Sequence, residues 1–212
     1  INFEEALIDA CNTELLIRNS RLVDRLIRGA NLRYAHARID DVNFEANRIG
    51  LTQQSINRFS ECTWIHNHKN MNLLGSTGIG KTWLACAFAT KACSKGYKTK
   101  FFKYFEFIAL FEKAVDNTID KQLIKKLMTF DLLIIDDFGL TSIPSAVEGI
   151  LLDFIDNFSM QGSLLITSQF SYDIWYEKFN DPTIADAILD RIIHNSYTFE
   201  ISGDSMRKIG SS

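Results

Sequence analysis

The stretch Gly75-Ser-Thr-Gly-Ile-Gly-Lys-Thr82 decides how the rest of this chain is interpreted. It matches the pattern GxxxxGK[ST] and lies between an apolar run at Met71–Leu74 and a predicted helix that begins at Lys81. Glycines let backbone N–H groups turn inward around phosphate oxygens, and the positive end of the following helix adds to the attraction. Lys81 is predicted to reach the β- and γ-phosphates of a nucleotide, and the Thr82 hydroxyl to bind Mg²⁺. Strand, loop and helix together indicate a nucleotide site rather than a glycine-rich turn. The residues predicted to contact the nucleotide here are Gly75, Ser76, Thr77, Gly78, Ile79, Gly80, Lys81, Thr82 and Trp83.

Two acids follow a second apolar run, in the sequence Asp131-Leu-Leu-Ile-Ile-Asp-Asp137. Ligands of open parallel sheets bind at the carboxyl ends of the strands, so Asp136 and Asp137 are expected to face the phosphates. A nucleotide site needs a carboxylate on the metal side and a group that positions the attacking water. We assign the first role to Asp136 and the second to Asp137. The alternative is that the two acids cap the next helix or turn.

Short apolar runs alternate with helical stretches from Lys69 onward, which predicts an α/β fold with a parallel five-stranded sheet between helices on both faces. The predicted strands are Met71–Leu74, Lys100–Lys103, Leu132–Ile135, Leu164–Thr167 and Tyr197–Ile201, and the predicted helices are Lys81–Ser94, Tyr104–Val115, Ser145–Phe158 and Thr183–His194. The fourth strand is followed by Ser168-Gln169, where a polar side chain could touch the γ-phosphate or hold the water. An ordinary strand-to-loop transition explains that pair of residues equally well.

The N-terminal part differs in composition from the rest. Eight of the ten arginines precede residue 59, and the first lysine is Lys69. We therefore predict an N-terminal helical, arginine-rich segment at residues 1–58, in contact with DNA or a partner, and a nucleotide-binding domain at residues 59–212. Residues 3 to about 35 have apolar positions at helical spacing, with Gly29 as a possible end or bend. Four arginines recur at three- and four-residue steps and so share one helix face: Arg18, Arg21, Arg25 and Arg28. Such a stripe is either a solvated face or a site for nucleic-acid phosphates.

The remaining composition is that of a soluble globular protein, with 46% hydrophobic and 23% charged residues. No window has the eighteen or more uncharged apolar residues of a membrane span, and no secretory signal is visible at the start of the chain. The four cysteines form no CxxC pair, so we expect buried thiols, as at Cys86 and Cys93, in a cytoplasmic protein. The net charge of −3 argues against a uniformly basic surface, although a local basic stripe is compatible with it.

Taken together, these motifs resemble the AAA+ ATPases of the IstB-like and DnaC-like families. The resemblance covers nearly the whole chain and rests on these stretches: Phe3 to Arg33, Gly75–Thr82 followed by Trp83-Leu-Ala, LLIIDDFG at Leu132–Gly139, Leu165–Gln169 followed by Trp175 and Phe179, ADAILDR at Ala185–Arg191, His194-Asn195, and Gly203-Asp-Ser-Met-Arg207. IstB-like proteins help the transposases of insertion sequences, and DnaC-like proteins load replicative helicases. The resemblance implies a P-loop AAA+ (ASCE) three-layer αβα core, preceded by a small helical segment.

The resemblance also implies roles at matching positions. Gln169 lies where the family usually has the sensor 1 asparagine, and its side chain is one methylene longer. Arg191 matches the arginine finger, which supplies positive charge to the transition state, often from a neighbouring subunit. The alternative for Arg191 is a salt bridge with Asp186 or Asp190 on its own helix. Arg207 matches a sensor 2-like position and is predicted to contact the nucleotide.

Two functions follow as hypotheses. The first is an ATPase with ATP and Mg²⁺ as cofactors that forms a homo-oligomer on duplex DNA, with ATP between subunits, and engages a transposase. The second is a helicase loader of DNA replication, whose N-terminal segment docks on a replicative helicase. The arginine-rich helix and the resemblance favour the transposition helper.

Overall fold

Five parallel strands form the centre of the molecule in the computed structural model, which describes residues 2–44, 48–116 and 118–206. A short antiparallel strand, β1, adds to these five. The six strands of the described residues, in chain order, are β1 Arg48–Ile49, β2 Asn70–Gly75, β3 Thr99–Lys103, β4 Leu132–Asp136, β5 Ser163–Ser168 and β6 Ser196–Gly203. Their order in the sheet is β1-β6-β2-β5-β4-β3, and among these described strands only the β1–β6 pair is antiparallel. The predicted five-stranded parallel sheet is confirmed. The sequence pattern did not predict β1, because a two-residue strand has no periodicity to detect.

Helices cover the sheet on both faces. Their bounds are α1 Phe3–Ala30, α2 Gln53–Ser60, α3 Thr63–His66, α4 Lys81–Ser94, α5 Tyr104–Asp116, α6 Thr118–Leu127, α7 Ser145–Phe158, α8 Tyr172–Tyr176 and α9 Pro182–Ile193, and a 3₁₀ turn spans Ile39–Asp41. Helix α1 ends earlier than residue 35, because Asn31 adopts a left-handed conformation (φ 54°) at its C-cap. The sequence analysis did not predict α6 or α8. Within the described ranges, no helix is long and apolar enough to cross a membrane.

Alternation along the strands divides the core into two hydrophobic clusters. In β4, Leu132 and Ile134 belong to the cluster that contains α4, whereas Leu133 and Ile135 belong to the cluster that contains α5, α7 and α9. Strands buried on both faces are typical of a parallel sheet between two helix layers. The three-layer α/β arrangement is therefore confirmed.

The cluster around α4 has members on both sides of the predicted boundary at residues 58 and 59. Ala30, Ile39 and Ile56 are buried in it together with residues of α4 and β2. The division into 1–58 and 59–212 stays a prediction, and this shared core shows that residues 30–42 and 51–56 pack directly on the sheet-bearing part.

Three of the four cysteines are buried and all four are free thiols. Cys86 and Cys93 lie inside α4, as predicted, and Cys62 precedes α3. Burial raises the pKa of Cys62 and Cys86 to about 11. These buried thiols are therefore uncharged and poorly reactive at neutral pH.

Candidate nucleotide-binding site

The loop between β2 and α4 adopts a conformation that requires glycine. Gly75, Gly78 and Gly80 have φ angles of 152°, 90° and 98°. A Cβ atom at Gly75 would lie 2.1 Å from the backbone oxygen of Ile201 on β6. The C-terminal end of the described chain also contacts the loop, because the Met206 N–H donates a hydrogen bond to the Gly78 carbonyl at 3.0 Å. The glycines thus give this loop a shape that other residues could not adopt without strain.

Lys81 is buried at the first residue of α4, with only 6% of its surface exposed. Its ammonium donates to the carbonyls of Gly75 at 2.7 Å and Ser76 at 3.0 Å, and so it lies across the mouth of the loop. Because α4 begins here, the N–H groups and the positive dipole end of the helix face the same space. The loop and the lysine together present cation and N–H donors to an anion.

Asp136 ends β4 and is fully buried. One carboxylate oxygen accepts hydrogen bonds from the hydroxyls of Thr82 at 2.7 Å and Thr167 at 2.6 Å. The other oxygen, Oδ2, accepts no hydrogen bond from the described residues, and the Arg33 guanidinium lies 3.9 Å from it. Burial raises the pKa of Asp136, and the two threonine hydroxyls oppose that shift. A buried carboxylate oxygen without a donor, next to a threonine hydroxyl, fits a hard cation such as Mg²⁺, which prefers oxygen ligands.

The next acid, Asp137, turns away from the strand direction. Its φ of 61° is left-handed, a conformation that Asp tolerates better than most residues. Its N–H donates to the Thr167 hydroxyl at 3.0 Å, while its side chain lines the cavity described below. One hydroxyl of β5 therefore holds both acids, and the change of backbone direction lets both face the same ligand space.

Gln169 follows β5 and contacts the phosphate-binding loop. Its side-chain oxygen accepts a hydrogen bond from the Thr77 hydroxyl at 2.5 Å. An ordinary strand-to-loop transition, the alternative for Gln169, does not require a hydrogen bond to this loop. The geometry places Gln169 beside the loop.

A cavity of about 360 Å³ opens beside the loop, within the usual range for small-molecule sites. Six of its lining residues were predicted to contact the nucleotide: Thr77, Gly78, Gly80, Lys81, Thr82 and Trp83. Gly75 and Ser76 contribute the carbonyls that hold Lys81, whereas Ile79 is buried in the core and does not line the cavity.

A second wall of the same cavity comes from the N-terminal part of the chain. Arg33, Tyr34, Asp41 and Asn43 line it, and Met206 closes another side. The sequence analysis missed these residues, because the chain between Asn31 and Phe44 carries no motif and reaches the site only by packing against α4. Thr167 was also missed as a functional residue. A polar residue near the end of an apolar strand was its only sequence signal.

Arg191 lies away from this cavity on α9. Its Nε is 2.5 Å from Asp156 on α7, and its Nη1 donates to the Ala187 carbonyl at 2.7 Å. The salt-bridge partner is thus on a neighbouring helix rather than at Asp186 or Asp190. Arg191 does not line the cavity of its own chain.

The arginine stripe on α1 faces solvent. Arg18, Arg21, Arg25 and Arg28 are all exposed, whereas the body-facing positions Leu22, Val23, Leu26 and Ile27 are half-buried. Arg18 pairs with Glu14 at 2.6 Å, a contact that contributes little at such exposure. Arg207, the predicted sensor 2 position, lies outside the described residues.

The whole chain, residues 1–212, matches the family described as IstB-like ATP binding protein. The chain belongs to this family. One relative of this IstB-like chain, named as an insertion sequence ATP-binding protein of Sinorhizobium fredii, is 40% identical over 146 residues; the match covers 69% of this chain and 59% of that relative. The protein named for ATP binding in the insertion sequence IS21 of Pseudomonas aeruginosa is 28% identical over 208 residues, which covers 98% of this chain and 77% of that one.

Solved structures with the same fold include DnaI and the DnaC helicase loader. The crystal structure of DnaI superimposes with a TM-score of 0.66 at 20% identity, and covers 79% of this chain and 92% of that one. The DnaC helicase loader gives a TM-score of 0.64 at 19% identity, over 80% of this chain and 99% of that one. At this identity the likeness establishes the fold, which is that of the P-loop AAA+ proteins, for this IstB-like chain.

Proposed function

We propose that this IstB-like protein binds and hydrolyses ATP, assembles on duplex DNA and helps a transposase. The observation that carries the ATPase part is the meeting of Lys81, Thr82 and Asp137 at one cavity. Asp136 and Gln169 accept hydrogen bonds from two hydroxyls of this site, those of Thr82 and Thr77. The relatives named after insertion sequences support the transposition part. We propose a cytoplasmic location on the same basis.

In the proposed complex, the loop amides and Lys81 bind the β- and γ-phosphates. Thr82 and Asp136 hold Mg²⁺, which neutralises phosphate charge when bound. Trp83 and the N-terminal wall enclose the rest of the nucleotide, and Arg207 contacts it. Lys81→Ala should abolish nucleotide binding, measured with a fluorescent ATP analogue. Retained tight binding would remove the loop from this role.

Hydrolysis is assigned to Asp137, whose carboxylate polarises the attacking water, with Gln169 holding the γ-phosphate or the water. Thr167 fixes the Asp137 backbone, so the carboxylate is positioned before the substrate arrives. Asp137→Asn should leave ATP binding intact and lower kcat by about a hundredfold or more, the usual contribution of a general base. Unchanged turnover would exclude Asp137 as the group that activates water.

Arg191 is proposed as the arginine finger of a neighbouring subunit in a homo-oligomer. In its own chain it is held by Asp156, so it must leave that partner when it reaches the next subunit's phosphates. Arg191→Ala should lower kcat by about a thousandfold without weakening nucleotide binding by a single subunit. Asp156→Asn, which frees the same side chain, should not lower kcat.

Mixing variants tests action in trans. A Lys81→Ala subunit binds no ATP but still carries Arg191, whereas an Arg191→Ala subunit binds ATP but lacks the finger. Activity in the mixture, absent from either variant alone, supports a site shared between subunits. A mixture that stays inactive contradicts it.

The arginine stripe of α1 is proposed to contact DNA phosphates, because four exposed guanidinium groups repeat along one face of the helix. Each phosphate contact contributes about 0.9 to the slope of log affinity against log salt. Replacing both Arg21 and Arg25 with alanine should therefore reduce that slope by about 2 for each subunit bound. Arg58→Ala removes a charge that is also exposed but lies outside α1, and it provides the control.

The experiment for the whole proposal is DNA binding with ATP, ADP and no nucleotide, on duplex and single strands, across a salt series. Cooperative binding to duplex that needs ATP supports the transposition helper. A preference for single strands, with no duplex binding, would contradict it and favour a helicase loader. Recruitment of the transposase to DNA-bound protein, measured by co-sedimentation, tests the last part.

A further inference from the structure

Arg33 lies between the buried carboxylate of Asp136 and the open cavity. Its guanidinium is 3.9 Å from Oδ2 of Asp136, the oxygen that accepts no hydrogen bond from the described residues. The Asp136 side chain is fully buried, whereas 43% of the Arg33 side chain is exposed. Arg33 also lines the cavity, together with Lys81 and Thr82. One arginine therefore faces both the carboxylate and the space proposed for the nucleotide.

The contact between Arg33 and Asp136 is loose. An arginine that is fixed on a carboxylate donates hydrogen bonds of about 2.7–2.9 Å, often two in parallel. Here the two groups are 3.9 Å apart, and Oδ2 accepts no hydrogen bond from any described residue. The guanidinium also lies over the Tyr34 ring, 5.6 Å from its centroid, within the range of a cation–π interaction. Arg33 thus brings positive charge to Asp136 without being locked onto it.

The backbone around Arg33 is held in place. Leu32 and Ala37 are buried on either side of it, and the Ala37 N–H donates to the Tyr34 carbonyl at 3.1 Å. The turn is therefore fixed on the body of the protein, and the Arg33 side chain is the part that can change its position. Arginine is long and has many rotamers, so it can reach a new partner without a shift of the backbone.

A divalent cation and Arg33 are rivals for this carboxylate. The pair Thr82 and Asp136, which is proposed to hold Mg²⁺, includes the carboxylate that Arg33 approaches. A metal ion bound there is a like charge for the guanidinium, and like charges close together in a partly buried site repel one another. The phosphates of a nucleotide in the same cavity are negative, and the planar fork of arginine fits phosphate oxygens. Metal and nucleotide therefore both favour movement of Arg33 away from Asp136.

We propose that Arg33 controls the access of the metal to Asp136: the guanidinium and a divalent cation compete for the same carboxylate, and the nucleotide phosphates draw Arg33 away from it. The proposal rests on the function proposed above, in which the loop binds phosphates and Thr82 and Asp136 hold Mg²⁺. A metal ion alone binds weakly, because it must displace Arg33 while no phosphate is there to receive it. The nucleotide makes this exchange favourable, so nucleotide and metal bind cooperatively.

Metal binding in the absence of nucleotide tests the competition. Mn²⁺ takes the same oxygen ligands as Mg²⁺, and its paramagnetic resonance signal distinguishes free ions from bound ions. Arg33→Gln removes the charge of a side chain that is 43% exposed, so the fold should be retained. The variant should bind Mn²⁺ about tenfold more tightly than wild type, a typical coupling between two ligands. Unchanged or weaker Mn²⁺ binding by Arg33→Gln would overturn the proposal.

Arg38→Gln is the matched control. Arg38 follows Arg33 in the same segment, is exposed and is not among the described residues that line the cavity. Its Nη1 donates to the carbonyls of Ala35 at 2.9 Å and Ala37 at 3.0 Å, and a glutamine amide can still donate to a carbonyl. The substitution removes the same charge and should change the Mn²⁺ affinity less than about twofold, because salt screens exposed charges. An equal gain in both variants would be an effect of net charge and would contradict a special role of Arg33.

Nucleotide binding in the presence of a chelator tests the second half of the exchange. Under these conditions Arg33→Gln should weaken the binding of a fluorescent ATP analogue by about tenfold or more, because a hydrogen bond to a charged group is lost. The two affinities thus change in opposite directions, tighter for the metal and weaker for the nucleotide. A substitution that merely damaged the site would weaken both. ATP binding as tight as in wild type would refute the transfer of Arg33 to the phosphates.

Asp136→Asn shows where the gained metal binds. In this background the further substitution Arg33→Gln should bring no gain in Mn²⁺ affinity, since the carboxylate for which the two cations compete is gone. A gain that persists would mean that the metal binds elsewhere, and the proposal would be wrong. The Mn²⁺ measurements use no nucleotide, so their outcome is separate from that of the proposed ATPase function, which Lys81→Ala tests.

Discussion

Thr167 joins the two acids of the site, and Thr167→Val tests how much that contact matters. The side chain is fully buried in β5. Its hydroxyl donates to Asp136 at 2.6 Å and accepts from the Asp137 N–H at 3.0 Å. Valine has nearly the same shape but can do neither. The substitution therefore removes both hydrogen bonds while it leaves the packing almost unchanged.

The expected change in the free energy of unfolding follows from those two hydrogen bonds. A hydrogen bond to a charged group contributes about 1.5–3 kcal/mol, and an N–H left without its partner costs about 1 kcal/mol more. Thr167→Val should therefore lower the free energy of unfolding by about 3 kcal/mol. Thr167→Ser keeps the hydroxyl and loses one methyl group, at about 1 kcal/mol. The two variants should thus differ by about 2 kcal/mol, with serine the more stable.

Urea unfolding without nucleotide and with a chelator measures this difference. With a slope of about 2–3 kcal/mol per molar urea, the midpoints of the two variants should lie nearly 1 M apart. Thr167→Val should also weaken Mg²⁺-dependent ATP binding, because Asp136 loses one of its two hydroxyl partners. If valine is as stable as serine and binds ATP equally well, the hydroxyl does not hold the acids and the reasoning is wrong.

Two further predictions concern the same region. Asp136→Asn should raise the free energy of unfolding in chelator by about 1–2 kcal/mol. It replaces a fully buried carboxylate with a neutral group that still accepts hydrogen bonds from Thr82 and Thr167. A variant that is less stable than wild type in thermal unfolding would contradict this prediction. Gly75→Ala should destabilise by more than about 2 kcal/mol, because its Cβ would lie 2.1 Å from the Ile201 carbonyl at a φ of 152°. The control, Gly29→Ala in α1, has nothing within 4 Å and should stabilise by about 0.5–1 kcal/mol in the same urea measurement.

The parts of the site that could be predicted from sequence are those fixed by neighbours in the chain. The loop Gly75–Thr82 has its glycines, lysine and threonine within eight consecutive positions, between a strand and a helix that are themselves periodic. Asp136 and Asp137 directly follow four apolar residues, so their place at a strand end needs no knowledge of the sheet order. Local constraints of this kind can be found in one sequence.

Contacts that depend on the order of the strands could not be predicted in this way. Thr167 meets Asp136 because β5 lies beside β4, although thirty-one residues separate them. The partner of Arg191 is Asp156 because α7 packs on α9; from helical spacing alone, only acids on the same helix could be considered. Helix α6 was missed, since it has only ten residues and they combine charged and apolar side chains.

The N-terminal segment also makes contacts that could not be predicted from the sequence alone. Its two parts differ in how they pack against the body of the protein. Ala30 is fully buried, Asn31 ends α1 in a left-handed conformation, and the Arg33 guanidinium lies 3.9 Å from the buried oxygen of Asp136. The chain therefore passes from α1 into the nucleotide site within three residues. From Leu22 onward the segment is packed against the body, and only residues 2–21 remain without such contacts. A change of direction at the base of α1 would thus move the exposed residues 2–21 and the Arg33 side of the cavity together.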